Sequence, residues 1–164
     1  INDSIRIKII NILSRSIGLN GMALGQSIDI DTFNNNTTLK VLERLQELKT
    51  GALIEASCVI PYMLSNSFEK KYQVSMANIG YYIGKIYQIT DDILDFESST
   101  NTLGKTAGKD ARDNKITYIS MVGIDEALKI KANLSQKLKE QISFFPENLP
   151  VLQNLVNYIY KRVY

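Results

Sequence analysis

Asp91, Asp92 and Asp95 form the densest acidic cluster of the chain. Their spacings of three and four would turn all three to one side of an α-helix. Like charges so placed cost a helix roughly 0.2–0.5 kcal/mol per pair in water, and far more where the helix is buried. A divalent cation removes the repulsion, and oxygen-only ligands select a hard ion such as Mg²⁺. A solvated acidic helix end is the plainer explanation. The isoleucines on the opposite face weigh against it, as do Gly80, Gly84 and Gln88, which extend the acidic side toward the N-terminus.

A cationic stretch follows directly. Leu103-Gly104-Lys105-Thr106 and Asp113-Asn114-Lys115 enclose Lys109 and Arg112. Gly104-Lys105-Thr106 resembles the end of a nucleotide phosphate-binding loop, but the position five before Gly104 is Ser99 rather than glycine, and the preceding element reads as a helix. A nucleotide loop is rejected on both grounds. Ammonium groups beside metal-bearing carboxylates would make a site for a highly charged anion, and a diphosphate fits best. An ordinary solvated loop is the alternative.

Two further clusters carry polar groups inside apolar helical patterns. Lys49-Thr50-Gly51 interrupts one stripe, and Gly25-Gln26-Ser27-Ile28-Asp29 sets Gln26 and Asp29 on one helical face behind glycines that permit close packing. A surface lysine and a plain helix–helix contact would explain these equally well. The single Cys58 lies between Ala56 and Val59 and reads as a small core residue.

The elements that must position these groups are helical throughout. Ile5, Ile9, Ile12, Leu13 and Ile17 predict a first helix ending near Gly25. A polar loop over 31–38 offers Asn36 and Thr37 as N-caps. Val41, Leu45, Leu48, Ala52, Ala56, Val59 and Met63 predict a long second helix that Pro61 should kink or end. Ile79, Ile83, Ile86, Ile89, Ile93 and Phe96 mark a buried central helix. Residues 98–114 read as a loop. Ala127 to Ile142 repeat as another helix stopped by Pro146, and Pro150 opens a last one. No strand and no fixed repeat is visible, so the predicted class is all-α.

Composition narrows the function. At 164 residues the chain is one domain's worth, set against about 150 residues per domain. Nineteen Lys and Arg against 17 Asp and Glu leave a net charge of +2 without a basic block, which argues against nucleic acid. With no histidine and one cysteine, His or Cys zinc sites, disulfide scaffolds and His-dependent triads are excluded. No apolar run approaches the ~20 residues of a membrane span. No signal peptide opens the chain, so a cytoplasmic location is expected, with a plastid or other organelle left open. The chain starts at Ile1 and its first methionine is Met22, so part of a longer protein is expected.

Together these stretches resemble the C-terminal half of the trans-isoprenyl diphosphate synthases, the family of farnesyl and geranylgeranyl diphosphate synthases. The match runs from about Gly18 to the C-terminus with the motifs in family order. The resemblance implies an isoprenoid-synthase helical bundle, of which residues 1–164 would be the C-terminal part of one domain. Asp91, Asp92 and Asp95 match the second DDxxD motif, implied to hold Mg²⁺ against an allylic diphosphate. Lys49-Thr50 resembles the KT pair, with the lysine on that diphosphate and the threonine near the forming carbocation. Lys105 and Lys115 match two loop lysines that grip the diphosphate. Gln26 and Asp29 resemble the GQxxD element of the same pocket, and Tyr87-Gln88 the aromatic–Gln pair near the prenyl tails.

Two departures stand out: Thr90 where many members carry glutamine, and Leu24 where many carry a second glycine. The first aspartate-rich motif would lie upstream of Ile1. The resemblance therefore implies a Mg²⁺-dependent, homodimeric prenyltransferase. It would join isopentenyl diphosphate to an allylic diphosphate, giving a short-chain (C15–C20) product, farnesyl diphosphate foremost. The 164 residues alone are expected to be inactive, and half a bundle to leave part of the central helix wet, so that the fragment self-associates or is only marginally stable. A non-catalytic subunit of a heteromeric synthase and a helical interaction module are the competing readings.

Overall fold

A computed structural model describes residues 1–32, 37–101, 116–146 and 149–161, and every regular element in them is helical. In chain order these are α1 (Asp3–Ile17), α2 (Met22–Thr32), α3 (Leu39–Gln46), a π-turn (Glu47–Gly51), α4 (Ala52–Leu64) and a 3₁₀ turn (Lys70–Tyr72). They are followed by α5 (Gln73–Asn101), α6 (Tyr118–Val122), α7 (Ile124–Ser143) and α8 (Pro150–Lys161). The all-α expectation holds, with no strand among the described residues.

α5 is the axis. Its isoleucine stripe packs on α4, α7 and α8, while α6 and the π-turn close the remaining sides. Met76, Ile79, Ile83 and Ile86 meet Leu138 and Ile142 of α7 and Val156 and Ile159 of α8. Farther along, Ile89 and Ile93 meet Leu42, Tyr118 and Ala127. Each such side chain contributes about 1.5–3 kcal/mol when fully buried, so this double cluster anchors the helix that carries the aspartates.

Several boundaries differ from expectation. The first helix ends at Ile17, where the Gly18 N–H donates to the Ser14 carbonyl, and α2 starts only at Met22. α2 then runs through Asp31, inside the predicted loop. Asn36 lies outside the described residues, and Thr38 rather than Thr37 caps α3, its hydroxyl accepting from the Val41 N–H. Pro61 neither ends nor visibly breaks α4, which continues to Leu64. A proline three residues from a helix end removes one ladder bond, and the chain turns extended at Ser65 regardless. α5 reaches Asn101, into the predicted loop over 98–114; the rest of that loop lies outside the described residues. The short α6 was not anticipated. Thr117 and Ser120 form its capping box, and Gly123, at φ +81°, separates it from α7.

The central helix is wet only in part, toward its ends, where Val74 and Phe96 are exposed. Ile79 and Ile89 are fully buried, because α7 and α8 fold back onto α5. α1 has no buried residue and leaves Ile7, Ile10, Leu13 and Ile17 exposed along one helix.

Candidate active site

Lys49 and Thr50 stand on the π-turn, where the Ala52 N–H reaches back five residues to the Glu47 carbonyl. A π-turn adds one residue to a helix and recurs at functional sites. The turn is held from two sides by glycines. A Cβ on Gly25 would lie 2.3 Å from the Lys49 nitrogen and 2.6 Å from its Cα, so α2 reaches the turn only because residue 25 has no side chain. From the other side, a Cβ on Gly80 would meet the Glu55 Cα at 2.5 Å, and one on Gly84 the Gly51 Cα at 3.1 Å.

One turn beyond Gly25, Asp29 Oδ2 accepts from Lys49 Nζ at 2.6 Å. The two residues, which the resemblance places separately in one pocket, are thus paired with each other. Both side chains stay partly open, at 37% for Lys49 and 23% for Asp29. An incoming anion would therefore compete with Asp29 for the lysine. Gln26 is exposed on the same helix and Thr50 is half-buried.

Following the glycine face of α5 from Gly84 leads through half-buried Gln88 to Asp91 and Asp95, both also half-buried. Seven residues of helix make this step about 10 Å. Beside them, Asp92 Oδ2 accepts from the Tyr118 N–H at 2.8 Å, at the start of α6. At about 100° per residue, Asp91, Asp95 and Asp92 fall within one arc of about 100° of the helix, with Asp92 at the edge nearest α6. Among the described residues, no group of three acidic or thiol side chains converges into a ready metal cage. The donor set nonetheless suits Mg²⁺, which commonly takes one or two carboxylates and completes its shell with water and substrate phosphate. Tyr87 packs against the apolar cluster shared by α5, α7 and α8. Lys105 and Lys115 lie outside the described residues. The described chain stops at Asn101 and resumes at Ile116, two residues before the Tyr118 amide bound to Asp92.

A second polar assembly links these groups. Lys85 Nζ lies 3.2 Å from Glu47 Oε1 and 3.4 Å from Glu43 Oε1, with its side chain only 12% exposed. The Tyr81 hydroxyl donates to Glu47 and the Tyr118 hydroxyl to Glu43. Burial pulls the Lys85 ammonium down, but its bond to Tyr81 and the charge of Glu43 outweigh this and hold it above the usual lysine range. Burial likewise pushes the Tyr118 phenol up, with Glu43 adding to it. This assembly was missed in the sequence. Its signal was there: a lysine between Ile83 and Ile86 of an apolar helix, and two glutamates four residues apart that repel unless a cation joins them. Two buried atoms, Gln46 Oε1 and Thr90 Oγ1, have no hydrogen-bond partner among the described residues. They precede the π-turn and Asp91 directly.

Comparisons with known proteins show the family and the fold. The family model described as Polyprenyl synthetase matches residues 2–155. A farnesyl diphosphate synthase of Micrococcus luteus is 37% identical over 166 residues, which cover 99% of this chain and 55% of that protein. A putative farnesyl-diphosphate synthase from Marinomonas sp. MED121 superposes with a TM-score of 0.81 at 32% identity, over 96% of this chain and 53% of the other. A geranyltransferase from Helicobacter pylori, complexed with magnesium and isoprenyl diphosphate, gives 0.76 at 27% identity, over 97% of this chain and 52% of the other. The chain thus spans about half the length of the relatives it matches.

Proposed function

Because this chain belongs to the polyprenyl synthetase family, we propose that it supplies the C-terminal portion of a Mg²⁺-dependent trans-prenyltransferase. The enzyme would join isopentenyl diphosphate to an allylic diphosphate, giving a short-chain product such as farnesyl diphosphate. The observation that carries this reading is the glycine-tight contact of α2, the π-turn and α5, which packs the turn bearing Lys49 and Thr50 on Gly84, about 10 Å along α5 from Asp91.

Asp91, Asp92 and Asp95 would hold Mg²⁺, which draws charge off a leaving diphosphate when bound. Lys49 would exchange its pairing with Asp29 for the diphosphate, and Lys105 and Lys115 would add further cations. Thr50 and Gln88 would line the path between, with Gln26 on the α2 side. Departure of the diphosphate leaves an allylic cation, which alkylates the double bond of isopentenyl diphosphate and then loses a proton. No helix of the described residues is long and apolar enough to cross a membrane. The exposed isoleucine face of α1 supports a partner surface, and we assign it to the homodimer of the intact enzyme.

Magnesium-dependent binding of a diphosphate separates this enzyme from a helical interaction module. Lys49→Ala and Lys105→Ala are each expected to weaken that binding by roughly 1.5–3 kcal/mol, the worth of a charge-assisted contact. Calorimetry with Mg²⁺ present checks this, and unchanged affinity would return both lysines to the surface. The 164 residues alone are expected to make no prenyl product, because the reaction clamps one diphosphate between two carboxylate sets and these residues hold one. Robust condensation by a preparation verified at 18.5 kDa would show the opposite.

A further inference from the structure

We propose that Lys85 is a positioning residue that couples the π-turn bearing Lys49 and Thr50 to the acidic end of α5. The proposal deepens the prenyltransferase reading and rests on it for its role in substrate binding; the mechanical coupling stands on geometry alone.

The path is continuous. Glu47 is the first residue of the π-turn, and Lys85 and the Tyr81 hydroxyl both bind its Oε1. Lys85 also binds Glu43 Oε1, the same atom that accepts from the Tyr118 hydroxyl. The backbone N–H of Tyr118 then holds Asp92. One ammonium group therefore ties a residue of the π-turn, through Glu43 and Tyr118, to an aspartate of the proposed metal set. Lys85 follows Gly84, the residue packed on Gly51 at the other end of the turn, so the turn is gripped at both ends from adjacent positions of α5.

Geometry also says why the hub must be charged. Glu43 and Glu47 sit four apart on one helix and direct an oxygen each at the same point, an arrangement that repels without a cation between. Tyr118 is 1% exposed, so its hydroxyl has no water to fall back on if Glu43 turns away. Removing the ammonium is expected to release Glu47 and Glu43 toward solvent, and with them the start of the turn and the anchor of α6.

Amide hydrogen exchange followed by NMR on the full chain tests this without any ligand. In Lys85→Met, exchange at the Tyr118 and Thr50 amides is expected to rise about tenfold or more, the loss of a charge-assisted bond. Amides around Leu138 and Ile142 in α7 should keep their rates. Lys85→Arg, which preserves the charge, should restore protection. Uniform acceleration over all helices, or no local change, would overturn the coupling. Should Lys85→Met fail to fold, Tyr118→Phe breaks the same path at its hydroxyl and should raise exchange at Thr50 while α7 stays protected. The same variants are then titrated with inorganic diphosphate and Mg²⁺. Binding by the parent chain, weakened about tenfold in Lys85→Met and recovered in Lys85→Arg, supports the positioning role. Unchanged affinity beside a local exchange response overturns that role, and no binding by the parent chain overturns the prenyltransferase reading while leaving the coupling to the exchange result.

Discussion

Asp91→Asn and Asp92→Asn should each lower turnover of the full-length enzyme by about 10²-fold or more, with the helical circular dichroism signal unchanged. Removing one electrostatic stabiliser from a preorganised site costs on this order. The substitution is chosen for what it keeps. Asparagine has the size of aspartate, and at position 92 its amide oxygen still accepts the Tyr118 N–H that Asp92 Oδ2 holds at 2.8 Å. What disappears is the negative charge, so the two variants separate a metal-holding role from a structural one. Steady-state kinetics with isopentenyl and allylic diphosphates checks the outcome, and near-normal turnover in both variants would remove the metal role.

Gly25→Ala should destabilise the chain by about 1–3 kcal/mol, the usual cost of forcing a methyl group into a packed contact. The added Cβ would meet three atoms of Lys49 within 2.8 Å, two of them backbone, so no side-chain rotation relieves it. α2 must move away from the π-turn, which also pulls Asp29 from Lys49. Gly84→Ala is the internal comparison. Its nearest contact is 3.1 Å to the Gly51 Cα, which a shift of a few tenths of an ångström absorbs, and its cost should be clearly smaller. Urea denaturation of both variants gives the ranking. An unchanged midpoint for Gly25→Ala would mean that the close approach of α2 is not required by the fold.

The parts of the fold that were readable beforehand are those that local periodicity determines. The isoleucines of α5 recur every three to four residues, so their helix and its buried face follow from the chain itself. Pro150 likewise opens α8 because its ring suits a first helical position. The break between α1 and α2 was hidden, since the apolar pattern runs on through Leu19 and the stop rests on a turn around Gly18. The candidate site was legible as residue types and much less as geometry. Lys49, Asp29 and the aspartates could be picked out, but their pairing depends on contacts between residues 20 or more apart in sequence. The bond of Asp92 to α6 could not be foreseen without α6. A π-turn has no composition of its own, so the mid-helix Lys49-Thr50-Gly51 was conspicuous for a reason that only the backbone explains.

That backbone feature bears on how such chains are compared. A π-turn is a helix with one residue more than its neighbours need, so length can change inside it without moving the helices on either side. Loss of one residue between positions 47 and 51 would relax the turn to ordinary α geometry and leave α3 and α4 continuous. An alignment that needs a single gap near this lysine should therefore place it within the helix and not in the loops at its ends.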